Sequence, residues 1–220
     1  MDSSKEISEK VQRPTFIEEK KLAEQGYRFI AGIDEVGRGP LAGPVVAAAV
    51  ILPSDLDAPW LPLVRDSKQL TPQRRELLSA LIEEVAISIG VGLSPPEVID
   101  AHGIMKATRM AMRSAVDLLS PSPDFLLIDY LTLPELTLPQ RGIVKGDSRS
   151  LSIACASIIA KVARDRLMVA LDELYPEYGF ASHKGYATRE HLSSLRRLGA
   201  CPIHRKRFTS VMLSQRNKAT

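Results

Sequence analysis

Four carboxylates close apolar runs in this chain. Asp34 and Glu35 end 27-YRFIAGIDE-35, Asp129 ends 125-FLLID-129, and Asp147 follows 142-GIV-144 in the segment 145-KGD-147. Acids are disfavoured inside strands, so an acid at a strand end either shapes a turn or belongs to a site. Four of them brought together repel, and stay ionised side by side only with cations among them. Oxygen ligands alone select hard ions such as Mg²⁺ or Mn²⁺, and no Cys/His cluster argues for zinc. Two such ions about 3.5–4 Å apart form the usual clamp for in-line displacement at phosphorus, so the pattern suggests phosphodiester chemistry. Strand alternation sends Asp34 and Glu35 to opposite faces. Their convergence needs a bend, which Gly37 permits.

The elements that must position these acids follow from the pattern. Residues 27–34 read as a strand. The Gly/Pro turn 37-GRGPLAGP-44 feeds a second strand, 45–52, whose unbroken apolar character implies burial on both faces. A helix is expected after Thr71, with Thr71 as N-cap and Pro72 at the first position. A strand follows over 86–93, then a short helix capped by Ser94, a long amphipathic helix over 103–119, and short strands at 125–129 and 142–144. A helix over 150–174 carries Ala154, Ala156, Ser157 and Ala160, small enough to lie close on a sheet. A loop over 178–190 and a helix through Leu198 complete the order. Strands interleaved with helices specify an α/β layered domain with a mixed sheet, whose sites gather beyond the strand ends. Residues 1–26 form a polar, partly helical, loosely held extension; 27–210 the domain, with a small C-terminal helical part from about 175; 211–220 a tail.

The 220 residues suit one large domain. No apolar run approaches the roughly 20 residues that span a membrane, and the polar N-terminal stretch lacks a signal-peptide core. A cytoplasmic protein without membrane partners is expected. The net charge of +3 permits a polyanionic partner. Arg189, Arg196, Arg197, Arg205, Lys206, Arg207, Arg216 and Lys218 crowd the end of the chain. They form either a nucleic-acid-binding stretch, centred on 205–207, or a solvated face. Cys155, in an apolar helical pattern, reads as a core residue. His183, His191 and His204 are not at metal-ligand spacing.

The run 32-GIDEVGRGPLAGPV-45 resembles the N-terminal signature of the type 2 ribonuclease H family, the bacterial ribonucleases HII. Further blocks follow in that family's order: 66-DSKQLT-71, Asp129, 145-KGD-147 ahead of 153-IACASIIAKVARD-165, 178-YGF-180, 183-HKGY-186 and 204-HRKRF-208. The departures are Cys155 in the long helix and Lys206–Arg207 before Phe208; neither touches an acid. The resemblance implies a ribonuclease H-like mixed sheet flanked by helices. It implies cleavage of the RNA strand in RNA–DNA hybrids and at single ribonucleotides in DNA, leaving a 3′-hydroxyl and a 5′-phosphate. It implies Asp34, Glu35, Asp129 and Asp147 as catalytic acids holding two Mn²⁺ or Mg²⁺ ions. It assigns Gly37, Arg38 and Gly39 to reading the 2′-hydroxyl through backbone groups, and Tyr186 to packing against the sugar at the RNA–DNA junction.

A backbone approaches a sugar closely only where no Cβ intervenes, which suits glycines at 37 and 39. Arg38 either contacts phosphate or braces the loop. Lys68 either binds phosphate beside a helix N-terminus or stands in a turn shaped by Asp66 and Ser67. A resolvase or type 1 ribonuclease H would also cluster acids at strand ends, but lacks the Gly-Arg-Gly loop and the distant Lys-Gly-Tyr. A non-catalytic nucleic-acid-binding module would not keep four acids that repel phosphate. The tail 211–220 has no paired aromatics of a clamp-binding peptide, so no tail-mediated docking on a sliding clamp is expected, and the protein is read as a monomer.

Overall fold

A computed structural model describes residues 13–216. Five strands form one mixed sheet in the order β3-β2-β1-β4-β5: β1 (Ile30–Val36), β2 (Val45–Ile51), β3 (Ser88–Ser94), β4 (Phe125–Asp129) and β5 (Gln140–Ile143). β2 pairs antiparallel with β1 and β3, while β1, β4 and β5 run parallel. The parallel trio therefore sends Asp34, Asp129 and the chain leading to Asp147 out at one edge.

β2 is buried at every position, as its sequence Val-Val-Ala-Ala-Ala-Val-Ile requires of a central strand. Its alternate residues serve two cores. Ala47 and Ala49 join Ala107, Ala111 and Met112 of α4 (Ile104–Asp117). Ala48 and Val50 join Leu78 and Ile82 of α2 (Pro72–Val85) and Ala154, Ile158 and Ala160 of α5 (Leu151–Leu174). Ala154, Ala156 and Ala160 are fully enclosed, so small side chains do let α5 lie close on the sheet.

Several boundaries differ from the sequence reading. β1 begins at Ile30 and runs on through both acids, because Glu35 and Val36 still pair with Ala47 and Val46. The bend comes after the acid pair, at Gly37, and not between its members. Ser94 ends β3 and donates to the Ala107 carbonyl (2.7 Å) without capping a helix; Pro95 holds the N-cap position of α3 (Pro96–His102) in extended backbone. Thr71 does cap α2, accepting from the Arg74 N–H. The 178–190 loop contains a short helix, α6 (Phe180–His183), before α7 (Arg189–Leu198) and α8 (Thr209–Arg216).

The expected loose extension is pinned along its described part. α1 (Ile17–Ala23) buries Leu22 and both Glu18 and Glu19. Thr15 pairs with the backbone of Arg149 and Leu151, and Glu18 lies against Arg141 and Arg149. Residues 1–12 and 217–220, with the outer part of the expected tail, lie outside the described residues.

Candidate active site

Asp34, two residues before the end of β1, and Asp129, the last residue of β4, lie on neighbouring parallel strands, with Ile33 opposite Ile128. Asp147 sits in the 3-10 turn Gly146–Ser148 that follows β5, and the Gly146 N–H donates to Asp129 Oδ1 (2.6 Å). Three backbone conformations set this edge. Tyr130 (φ 60°), Lys145 (φ 54°) and Lys184 (φ 51°) are the non-glycine residues with left-handed backbone among those described. They lie beside Asp129, two residues before Asp147 and two before Tyr186, and such strain gathers where a fold fixes functional groups.

The electrostatics show mutual repulsion. Burial, then the Glu35 and Asp129 carboxylates, push Asp34 well above the usual carboxylate range, against hydrogen bonds from Ser157 and the Glu35 N–H. Burial pushes Asp129 up to about 6; the Gly146 N–H opposes this, while Asp147 and Glu35 add to it. Asp147 is raised by burial and by Asp66, with Lys68 and Ser148 opposing. Lys68 is raised: its partial burial is outweighed by Asp66, Asp34, Asp147 and Asp129 together. Asp66 is thus a fifth acid of the cluster. Its turn-shaping role is also real, since its side chain accepts from the Lys68 N–H. The sequence signal for it was the block 66-DSK-68, where only the turn was legible.

Asp34 lies opposite Ala48, on the α5 face, and Glu35 opposite Ala47, on the α4 face. Because the strand stays regular, alternation keeps the pair on opposite faces, and no three His, Cys, Asp or Glu side chains among the described residues form a metal-holding group here. The donor chemistry still fits a hard divalent cation: the oxygen groups gathered here are carboxylates, and Asp34, Asp129 and Asp147 are shifted against ionisation by burial and by neighbouring carboxylates.

A cleft of about 730 Å³ is lined by Glu35, Gly37, Arg38, Gly39, Lys68 and Tyr186 among others. A second groove of about 590 Å³ shares Arg75, Lys161 and Tyr186 and continues to Arg166 and Lys184. Residues 118 positions apart, Lys68 and Tyr186, therefore meet across one space. Tyr186 is 41% exposed, with the Arg164 guanidinium over its ring at 5.9 Å. The Arg38 side chain turns back onto Glu35 (3.2 Å) and Met105 Sδ (3.1 Å), which makes it a brace in this structure. The two glycines differ in their reasons. At Gly37 (φ +90°) a Cβ would strike Arg164 Nε at 2.2 Å, so the fold behind the loop already requires a glycine there. At Gly39 a Cβ would meet nothing within 4 Å.

The basic 205–207 stretch is not a uniform binding surface. Arg205 is fully buried, and the Lys206 and Arg207 N–H groups fasten onto Asp100. His183, His191 and His204, spread through the sequence, form one buried cluster. The Cys201 N–H donates to His204 Nδ1 (3.0 Å), which assigns the proton to His204 Nε2; this donates to His191 Nε2 (3.0 Å), and His191 Nδ1–H donates to the Tyr186 carbonyl (2.8 Å). His183 stacks on His191 with ring centroids 4.5 Å apart. The chain ends on the backbone of Tyr186, so the cluster supports the loop that carries it.

The sequence pattern of the family described as ribonuclease HII matches residues 31–211. The ribonuclease HII of Dehalococcoides mccartyi strain 195 is 56% identical over 198 residues, covering 90% of this chain and 94% of that protein. The Desulfitobacterium hafniense Y51 ribonuclease HII is 58% identical over 194 residues, covering 88% of this chain and 74% of that protein. Among solved structures, the ribonuclease H2 of Pyrococcus horikoshii OT3 superposes with a TM-score of 0.74 at 26% identity, over 87% of this chain and 99% of that one. The ribonuclease HII in a PCNA complex from Archaeoglobus fulgidus gives 0.71 at 28% identity, over 84% and 96%.

Proposed function

This chain belongs to the ribonuclease HII family and is an endonuclease of the ribonuclease H type, and from that premise we propose that it cleaves RNA–DNA hybrids and also cuts on the 5′ side of single ribonucleotides embedded in duplex DNA. The observation that carries this reading is the shared cleft, in which Glu35, the Gly-Arg-Gly loop, Lys68 and Tyr186 line one space beside the strand ends that bear Asp34 and Asp129. Asp34, Glu35, Asp129 and Asp147 would hold two divalent ions, Mn²⁺ or Mg²⁺. Such ions, when bound, polarise the scissile phosphate, activate the water and steady the leaving oxygen. The 3′-oxygen leaves as a hydroxyl and the phosphate stays on the 5′ side of the ribonucleotide.

The rest of the work falls to the chain. The open side of Gly39 lets backbone approach the ribose, whose 2′-hydroxyl is what separates RNA from DNA at one position. Tyr186, exposed and facing the same cleft, packs on the sugar after the ribonucleotide. Lys68, Lys161 and Lys184 lie along the two grooves, where phosphates of a duplex would pass. We read the chain as acting as a monomer and without tail docking on a clamp.

The test is side-by-side cleavage of a continuous hybrid, a duplex with one ribonucleotide and an all-DNA duplex, at equal metal and salt. The parent should cut the first two and spare the third. Asp129→Asn should abolish cutting, and Tyr186→Ala should harm the single-ribonucleotide duplex far more than the hybrid. An Asp129→Asn protein with parental activity would sink the acid assignment. Equal losses for Tyr186→Ala on both duplexes would remove its junction role.

A further inference from the structure

The loop that faces the cleft has its carbonyls held from behind by a buried arginine. Arg205, fully buried, donates through Nε to the Gly43 carbonyl (3.0 Å), through Nη1 to the Arg38 carbonyl (2.9 Å) and through Nη2 to the Gly37 carbonyl (2.5 Å). Its own N–H donates to the Leu41 carbonyl (2.9 Å). Arg164, equally buried, takes the carbonyls of Ala42, Pro44 and Lys184. Neither guanidinium has a carboxylate within ion-pair distance among the described residues. Two buried cations are thus held by six backbone oxygens, a costly arrangement unless each donor is satisfied. Burial and the Arg164 charge lower Arg205 to about 9, so it stays cationic at neutral pH.

The consequence appears at the tip. The N–H groups of Gly37, Arg38 and Gly39 donate to no protein group among the described residues, while the carbonyls of Gly37 and Arg38 are occupied from behind. A cation on the oxygen side of a peptide also polarises its N–H outward. We infer that Arg205 is the positioning residue for ribose recognition: it holds the Gly37 and Arg38 carbonyls inward, which leaves the N–H groups of the tip to the lone pairs of a ribose hydroxyl. This rests on the proposed reading of the loop as the ribose reader. Arg164 anchors the flanks of the loop and the Tyr186 segment, leaving the tip carbonyls to Arg205.

The test is binding without divalent metal, where no cutting occurs. Dissociation constants are measured for a duplex with one ribonucleotide and for the all-DNA duplex of the same sequence, with melting curves for each protein. The parent should prefer the ribonucleotide; a parent without preference would sink the loop reading itself, whatever Arg205 does. Arg205→Lys keeps the charge but not the three-way fork. It should lose roughly tenfold of that preference, the weight of one or two hydrogen bonds, with affinity for the all-DNA duplex unchanged. Arg205→Gln, of similar size, should do the same if the lysine variant does not fold. Arg164→Lys should melt lower than the parent yet keep the preference. A folded Arg205 variant with the parental preference, or the collapse of both variants, would overturn the proposal.

Discussion

At the scale of single residues, glycines two positions apart answer to different demands. Gly37 has positive φ and no room for a Cβ, because Arg164 and the Pro44 carbonyl fill that space; Gly39 has open space where its Cβ would be. Alanine in left-handed backbone costs roughly 1–2 kcal/mol before any clash. Gly37→Ala should therefore lower the melting temperature by several degrees, at about 2–4 °C per kcal/mol for a chain of this length. Gly39→Ala should melt like the parent and lose cleavage of the single-ribonucleotide duplex. Melting curves and cleavage rates on both variants decide this: a Gly37→Ala protein as stable as the parent, or a fully active Gly39→Ala, would show the roles assigned wrongly. The motif reading named both positions for one reason, since spacing does not reveal where a missing Cβ would point.

At the scale of elements, the N-terminal arm holds the piece that delivers Asp147. Glu19 Oε1 accepts from Ser150 Oγ (2.6 Å), Ser152 N–H (2.9 Å) and Ser152 Oγ (2.7 Å), at the N-terminus of α5. A carboxylate there satisfies unpaired N–H groups and meets the positive end of the helix dipole. Glu19→Ala would strand buried donors, so stability should fall by roughly 2–3 kcal/mol. Limited proteolysis should then cut the arm near residues 13–24 faster than in the parent. Unchanged melting with an equally resistant arm would mean that the contact is incidental. The composition of this region, polar and charged, hid its attachment. Glu18 and Glu19 look like solvated residues until β5 and α5 bring Arg141, Arg149 and two serines to them.

At the scale of the whole molecule, the C-terminal part is held together by buried histidines that must keep one protonation state. Burial and the neighbouring His191 and His183 push His204 down to about 4, and burial also lowers His191. Around them stand Tyr178, Phe180 and Cys201, with no carboxylate in contact among the described residues. A histidine held neutral in the fold takes up a proton in the unfolded chain at about pH 6.5. Between about 6.5 and 4 the unfolded state binds more protons, so this contribution to stability is full above pH 6.5 and is lost as pH falls toward 4. Asp129 works the other way, being raised to about 6, so the parent curve alone mixes the two. The difference in urea stability between the parent and His204→Asn should shrink by roughly 3 kcal/mol from pH 7 to pH 4. A difference that stays constant would mean the histidine chain does not titrate with folding.

The sequence alone was enough for the order of the strands and the long helices, the acids at strand ends and the family resemblance. Those depend on local quantities: hydrophobic period, N-cap chemistry at Thr71, and ordered motifs. Three-dimensional neighbours decided the rest. Arg205 read as part of a basic surface stretch, and folding buried it against the carbonyls of Gly37 and Arg38, 168 and 167 positions earlier. Asp66 read as a turn former, and proximity made it a fifth charge on Asp147. His183, His191 and His204, without metal-ligand spacing, became one hydrogen-bonded and stacked cluster. The physical reason is common to all three. A charged or titratable side chain acquires its role from the groups that desolvate and face it, and those groups come from distant parts of the chain, where no local pattern records them.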